Sequence, residues 1–508
     1  MTEAMEQITK PRKTDESKLN ILTQLLNQLV TTACGILIPR ILIAAYGSEA
    51  YGISASIAQF LSYITLFEGG IGGVARAKLY GPLAKNDTSE TSSVYYAVRE
   101  FFNHVAAVFV VYSVILGLCY HDLAHVTIFS KTYVLLLVLS IGLATLAKYV
   151  GGLANLTLIV ADKKAYVNNL IMVGTTMINT AAVAILVRMG AGLVFVKLGS
   201  SLIFVVRPVL YAVYVKKHYI LTRSSKKTAL DQKWTGIGQH IAYFLHKNTD
   251  IVLLTLLADL RLVAVYSVHN MVINSIRSIT EALSGGMEAV FGECIAKDDK
   301  SALQKTYRKY KTLLSAGTLV LFSCAGILIV PFIRLYTKGI TDVNYIQPAF
   351  AWVFLLAEAV NCLVLPCSSL PVAADHLKQT RWGAYSEALI NIILSCILIK
   401  WEPLLGVAIG TLVATVFRAI YYMAYSTKDI LRLPIHRILL TFFVTILLLF
   451  AVTLCGVLMI RTVVIKKLHL LDVMWWAVLP DHSTSCSLCS TKNMQQIACS
   501  RYCRFQKS

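Results

Sequence analysis

Leu79–Ser89 reads LYGPLAKNDTS, and Val290–Ser301 reads VFGECIAKDDKS. Each stretch follows a long apolar run, and nearly the same separation returns along the chain. Val160-Ala-Asp matches Ala373-Ala-Asp, and Ile178-Asn179 matches Ile390-Asn391. Arg207-Pro-Val-Leu-Tyr matches Arg418-Ala-Ile-Tyr-Tyr, and Tyr51 matches Tyr266, with all offsets between 211 and 215 residues. Matches in order and at nearly one spacing are hard to obtain by chance, so the chain reads as a duplicated unit.

The composition says what kind of unit is duplicated. Of the 508 residues, 56% are hydrophobic and only 15% charged, with mean hydropathy +0.65. A soluble chain of this length carries about a quarter charged residues. The apolar residues fall in blocks, and about 20 such residues cross a bilayer as a helix. Thirteen blocks run from 19–43 to 438–460, six in each repeat and one beyond. The expected fold is therefore an all-α integral membrane protein of 12–14 transmembrane helices. Six spans per unit is an even number, so both units enter from one face as parallel repeats, as in transporters that rock one half against the other.

The sequence accordingly divides into a cytoplasmic lead-in (1–18), a first six-helix half (19–216) and a cytoplasmic linker (217–234). A second six-helix half (235–427), an added transmembrane helix (438–460) and an atypical tail (461–508) follow. The lead-in lacks the apolar core and small-residue cleavage site of a signal peptide. Alternate loops hold 26 Lys and Arg on one side and 6 on the other. The positive-inside rule places the rich side and the N-terminus in the cytoplasm. The formal net charge of +20 is thus a topology signal, and no nucleic-acid partner is expected.

Cysteines such as Cys34, Cys119 and Cys324 stand singly in apolar segments, where they act as small hydrophobes. In the tail, Cys486 and Cys489 form C-x-x-C, with Cys499 and Cys503 beyond, which superficially resembles a zinc site. The favoured reading is an abnormal tail, with the short Leu468–Leu479 run standing where a fourteenth span belongs. Replacement of that span by a shifted reading frame would account for this, and the encoding DNA tests it. No phosphate loop, H-E-x-x-H or G-x-S-x-G motif appears, so neither an enzyme nor a cofactor is expected.

Polar residues inside the membrane show where an interior lies, because exposure to lipid is costly. Asn270, Asn274, Arg277, Glu281, Ser284 and Glu288 step by four and three along one helix face. Asn20, Gln24, Asn27, Thr31 and Cys34 do the same on the first span. Arg207, Arg277 and Arg418 lie roughly 12–15 Å in from the cytoplasmic side, and Lys247 about 18 Å. These four, with Arg40 near the outer end of the first span, are the candidate anion-binding residues, since a guanidinium fork suits paired phosphate oxygens. Simpler readings are that Arg40 snorkels to the interface, that Arg277 pairs with Glu281, and that Lys247 pairs with Asp250. Glu68, Asp250, Glu281, Glu358 and Glu387 are candidates for coupling carboxylates, or else bridge helices structurally.

Pro39-Arg40, Tyr46-Gly47, Glu49-Ala50-Tyr51-Gly52 and the basic stretch Arg76 to Asp87 resemble the start of bacterial polysaccharide (O-antigen) repeat-unit flippases. Asn248, Asp250, Val265-Tyr266 and Ala296-Lys-Asp-Asp resemble that family's second half. The family belongs to the multidrug/oligosaccharidyl-lipid/polysaccharide exporter superfamily, and the resemblance spans roughly residues 15 to 460. It implies a bacterial inner-membrane flippase that moves undecaprenyl-pyrophosphate-linked oligosaccharide to the periplasmic leaflet, alongside polysaccharide polymerase machinery. The inner cations would then meet the pyrophosphate, with the prenyl chain left in lipid. The alternatives are an ion-coupled drug exporter of the same superfamily and a membrane scaffold or glycan polymerase. A polymerase should carry a large outer loop with catalytic charges, and the outer loops here are short.

Overall fold

Asn86-Asp87 and Asp298-Asp299 anticipate the same local structure twice. In the computed structural model, which describes residues 13–68, 71–222, 237–282, 284 and 286–478, both pairs end one helix and cap the next. Asn86 and Asp298 adopt φ values of 54° and 50°, a left-handed turn that Asn and Asp tolerate. Asp87 and Asp299 then accept from the backbone N–H groups of Glu90 and Ala302, both at 2.9 Å, supplying N-caps. Left-handed residues recur at Lys163 and Asp375, 212 residues apart, at φ 62° and 55°. The duplication thus extends to backbone geometry.

The first half holds α1 (Lys13–Ser62), α2 (Ile71–Ala84), α3 (Thr88–Leu123), α4 (Lys131–Ala147) and α5 (Leu153–Ala161). It closes with α6 (Ala165–Arg188) and α7 (Leu193–His218). The second half holds α8 (Ile237–Leu257), α9 (Leu260–Ala282), α10 (Met287–Ala296), α11 (Lys300–Tyr336) and α12 (Pro348–Ala373). Then come α13 (Leu377–Leu398) and α14 (Pro403–Tyr425), and a last helix, α15 (Ile435–Val478), lies outside the repeat. α1 is two spans in one, broken at Gly47, whose φ of 83° only glycine adopts readily.

Nine helices among the described residues are long and apolar enough to cross a membrane, counting the two limbs of α1 together. α9 and α13 are not among them, and both carry polar stripes. The fold is an all-α, multi-pass membrane architecture of two repeated six-span bundles.

Each half has its own apolar core. One cluster is built around Leu42, Ile57, Phe102, Phe109 and Tyr149, and others around Leu254, Phe322, Phe354 and Tyr307. The halves trade single residues: Ile43 enters the second core and Leu260 the first. Here α1 and α9 pack backbone to backbone, and a Cβ at Gly52 would lie 1.9 Å from the Leu260 carbonyl oxygen.

The chain divides into two units, Met1–Thr453 and Leu454–Ser508. Helix continues to Val478, beyond the end expected near residue 460, because the apolar and helix-favouring sequence does not stop there. The C-x-x-C at Cys486 and Cys489 lies outside the described residues.

Candidate functional site

The stripe on α9 faces a polar cavity of about 260 Å³ shared with α8, α12 and α14. Asp250, from α8, accepts hydrogen bonds from the Tyr266 hydroxyl (2.9 Å) and the Thr411 hydroxyl (3.1 Å to Oδ2). The network runs on through Asn391, whose side-chain N–H donates to Thr411 at 3.3 Å and whose Oδ1 accepts from the Ser395 hydroxyl at 3.2 Å. Across the cavity, Arg277 Nη1 meets Glu358 Oε2 at 3.1 Å and Arg277 Nε meets Glu281 Oε1 at 3.2 Å. Asn361 also donates to Glu358, at 3.2 Å. Gln59 of the first half lines the same space and donates to Asn248 Oδ1 at 2.6 Å.

Arg277 and Arg418, two of the candidate anion-binding residues, both face acids, and Arg277 makes the pair with Glu281 that was its simpler reading. Arg418 Nη1 sits 3.3 Å from Glu387 Oε1, with side-chain exposures of 13% and 4%. A buried guanidinium is costly unless a carboxylate faces it, so the helices supply one. Among the described residues that line the cavity, the carboxylates Asp250 and Glu358 outnumber the one cation, Arg277. Carboxylates opening on a polar cavity inside a membrane bundle can take up a proton or a small cation.

The remaining candidates are scattered. Arg207 on α7 is half-buried, and its Nε and Nη2 donate to the hydroxyls of Thr175 (2.7 Å) and Thr176 (2.9 Å) on α6. Its guanidinium carbon lies 4.3 Å from the Phe204 ring centroid. Hydroxyls and an aromatic face hold this arginine where acids hold the other two. Glu68 accepts from Lys148 (2.8 Å) and Tyr149 (2.5 Å) inside the first half. Lys247 lies on α8, but its side chain is outside the described residues, so the expected pairing with Asp250 is not among the contacts described.

Arg40 is a contact between halves, donating to the Lys338 carbonyl at 2.7 Å. It belongs to a cluster that the sequence did not single out, on the side of the cation-poor loops. Asp342 accepts from the Ser48 backbone N–H (2.6 Å) and hydroxyl (2.8 Å), and the Ser48 hydroxyl also meets Tyr345 at 2.7 Å. Glu49 pairs with Arg261 at 3.3 Å, and Tyr336 donates to the Ile36 carbonyl at 2.7 Å. Gly47 turns the chain so that the Ser48 N–H reaches Asp342. The partners stand 212 to 300 residues apart in sequence, so no local spacing signals them. At the other end of α1 the environment changes: Gln24 and Thr31 are exposed, whereas Ser48, Ser56 and Ile57 are fully buried.

No protein-family model matches the sequence, and no curated protein matches it. Solved structures match in shape. A structure titled "Lipid II flippase MurJ, inward closed conformation" superposes with TM-score 0.63 at 14% identity, covering 89% of this chain and 99% of that one. The MATE multidrug transporter DinF-BH gives 0.62 at 16% identity over 83% and 96%. An inward-facing MATE transporter of the MOP superfamily gives 0.58 at 12% identity over 80% and 98%. The fold is that of the MurJ and MATE transporters. The likeness does not single out polysaccharide flippases.

Proposed function

We propose that this chain is a bacterial inner-membrane flippase. It carries undecaprenyl-pyrophosphate-linked oligosaccharide repeat units from the cytoplasmic to the periplasmic leaflet for surface polysaccharide assembly, by alternating access of its two halves. The observation that carries the reading is Arg207, a half-buried arginine whose described contacts are threonine hydroxyls and a ring. Weak neutral partners leave its charge available to a phosphate, which guanidinium recognises through paired hydrogen bonds. Asn168, which accepts from Tyr211 one turn beyond Arg207, and the exposed Gln24 and Thr31 on α1 suit sugar hydroxyls. The solved structure named as a lipid II flippase supports a lipid-linked cargo on this fold.

In the second half, Asp250 and Glu358 serve as the gradient-coupling carboxylates, with Arg277 and Arg418 holding the surrounding acids in place. That acidic cavity also favours a second reading, an ion-coupled exporter of organic cations, and the neighbour named as a multidrug transporter supports it.

Reconstituted protein separates the two. Arg207→Ala should lower flipping of a fluorescent undecaprenyl-pyrophosphate oligosaccharide at least tenfold, with Arg207→Lys intermediate because it keeps charge without the fork. Unchanged glycolipid flipping in Arg207→Ala would remove the anion reading. Proton-dependent extrusion of a cationic dye, with no glycolipid movement by the parent protein, would establish the exporter.

A further inference from the structure

Tyr95, Tyr96 and Arg99 on α3 occupy the same positions of the repeat as Tyr307, Arg308 and Lys311 on α11, 212 residues later. Both triplets line grooves. The first, about 690 Å³, lies between α3 and α7, where Lys216 adds a second cation. The other, about 570 Å³, lies between α11 and the start of α15, where Arg437 adds a third. Among the described residues, neither lining contains Asp or Glu.

Sequence fixes the depth of both grooves. From Phe101 to His121, α3 carries no Lys, Arg, Asp or Glu, and α11 carries none from Thr312 to Ile333. At 1.5 Å per residue these stretches span about 31 and 33 Å, the thickness of the bilayer's hydrocarbon. Arg99 and Lys311 therefore mark the same membrane edge, on the side the charge rule assigns to the cytoplasm. Below them the walls become apolar: Val205, Pro208 and Val209 in one groove, Ala316, Leu319 and Ile438 in the other. Exposed Val213 and Ile220 flank the first, and exposed Leu313 and Leu440 the second, so each opens on a face fit for lipid tails. Hydroxyls at headgroup height complete the second groove, where Lys311 donates to Thr441.

We infer that these are two repeat-related sites for an anionic glycerophospholipid of the inner leaflet, its phosphate on the cations and its acyl chains along the apolar walls. A soluble anion would leave those walls unused, and a neutral lipid would leave two or three cations unmatched. The inference stands apart from the identity of the cargo.

Native mass spectrometry of the full-length protein tests it by counting retained phosphatidylglycerol. The parent should keep two tightly bound copies, Arg99→Gln with Lys216→Gln should lose one, and Arg308→Gln with Lys311→Gln and Arg437→Gln the other. Affinity should fall about fivefold for each cation removed. Lys297→Gln with Lys300→Gln, outside both grooves, should retain both copies. Should a variant misfold, competition on the parent protein decides. Phosphatidylglycerol resisting displacement by phosphatidylcholine and by inorganic phosphate supports the sites. Equal retention of phosphatidylcholine, displacement by inorganic phosphate, or unchanged retention in both groove variants overturns them.

Discussion

Arg418 and Glu387 face each other at 3.3 Å with little exposure, so neither charge has water to fall back on. Removing the cation alone takes away the charge that faces a buried carboxylate. Arg418→Ala should therefore destabilise the protein by roughly 3–5 kcal/mol, whereas Arg418→Met combined with Glu387→Leu should restore most of that loss. Thermal unfolding in detergent checks both. Equal melting temperatures for the parent and Arg418→Ala would mean that the pair contributes nothing to stability. Arg207 is the contrasting residue, since its partners are hydroxyls and its loss should be felt in transport before stability. Both arginines stand at matching positions of the repeat, yet one half supplies an acid and the other supplies threonines. Two halves of common origin have thus divided the chemistry between them.

At the scale of elements, α1 and α9 approach as closely as two helices can, because Gly52 has no side chain. Gly52→Ala places a Cβ against the Leu260 backbone, which cannot swing aside as a flexible side chain would. The helices must part, at a cost of about 1–3 kcal/mol for overpacking. In a Ser48→Cys background, labelling by a membrane-impermeant maleimide should rise when Gly52→Ala is added, because Ser48 is fully buried in the closed arrangement. Unchanged labelling would show that the contact does not close this side.

Spans, their number per repeat and the polar faces of α1 and α9 were legible in the sequence, since length, hydropathy and the 3.6-residue period are local properties. The Arg277–Glu281 pair was legible for the same reason, four residues apart on one helix. The Arg277–Glu358 and Arg418–Glu387 pairs were not, because they join different helices and leave no periodic trace. That gap turned an expected cationic interior into a charge-compensated one. The paired grooves were half-legible: the triplets repeat in the sequence, but only folding shows that both line a recess.

At the scale of the molecule, the described hydrogen bonds between the halves cluster along α1 from Ile36 to Gln59, on the outer side of the positive-inside reading. Ser48, Asp342 and Tyr345 form the tightest knot, and Glu49–Arg261 and Arg40–Lys338 flank it. These bonds are polar and partly exposed, individually worth about 0.5–1.5 kcal/mol, so together they can hold one state without making it permanent. Alternating access requires that they break and that the exposed inner end of α1 become covered. Joining Ser48→Cys to Asp342→Cys with a short thiol-specific crosslinker, in a background with the native cysteines replaced, should arrest transport in reconstituted vesicles. A reductant that cleaves the crosslinker should restore it. Transport at the uncrosslinked rate with the bridge intact would mean that the halves do not separate on this side, and that cargo leaves by another route.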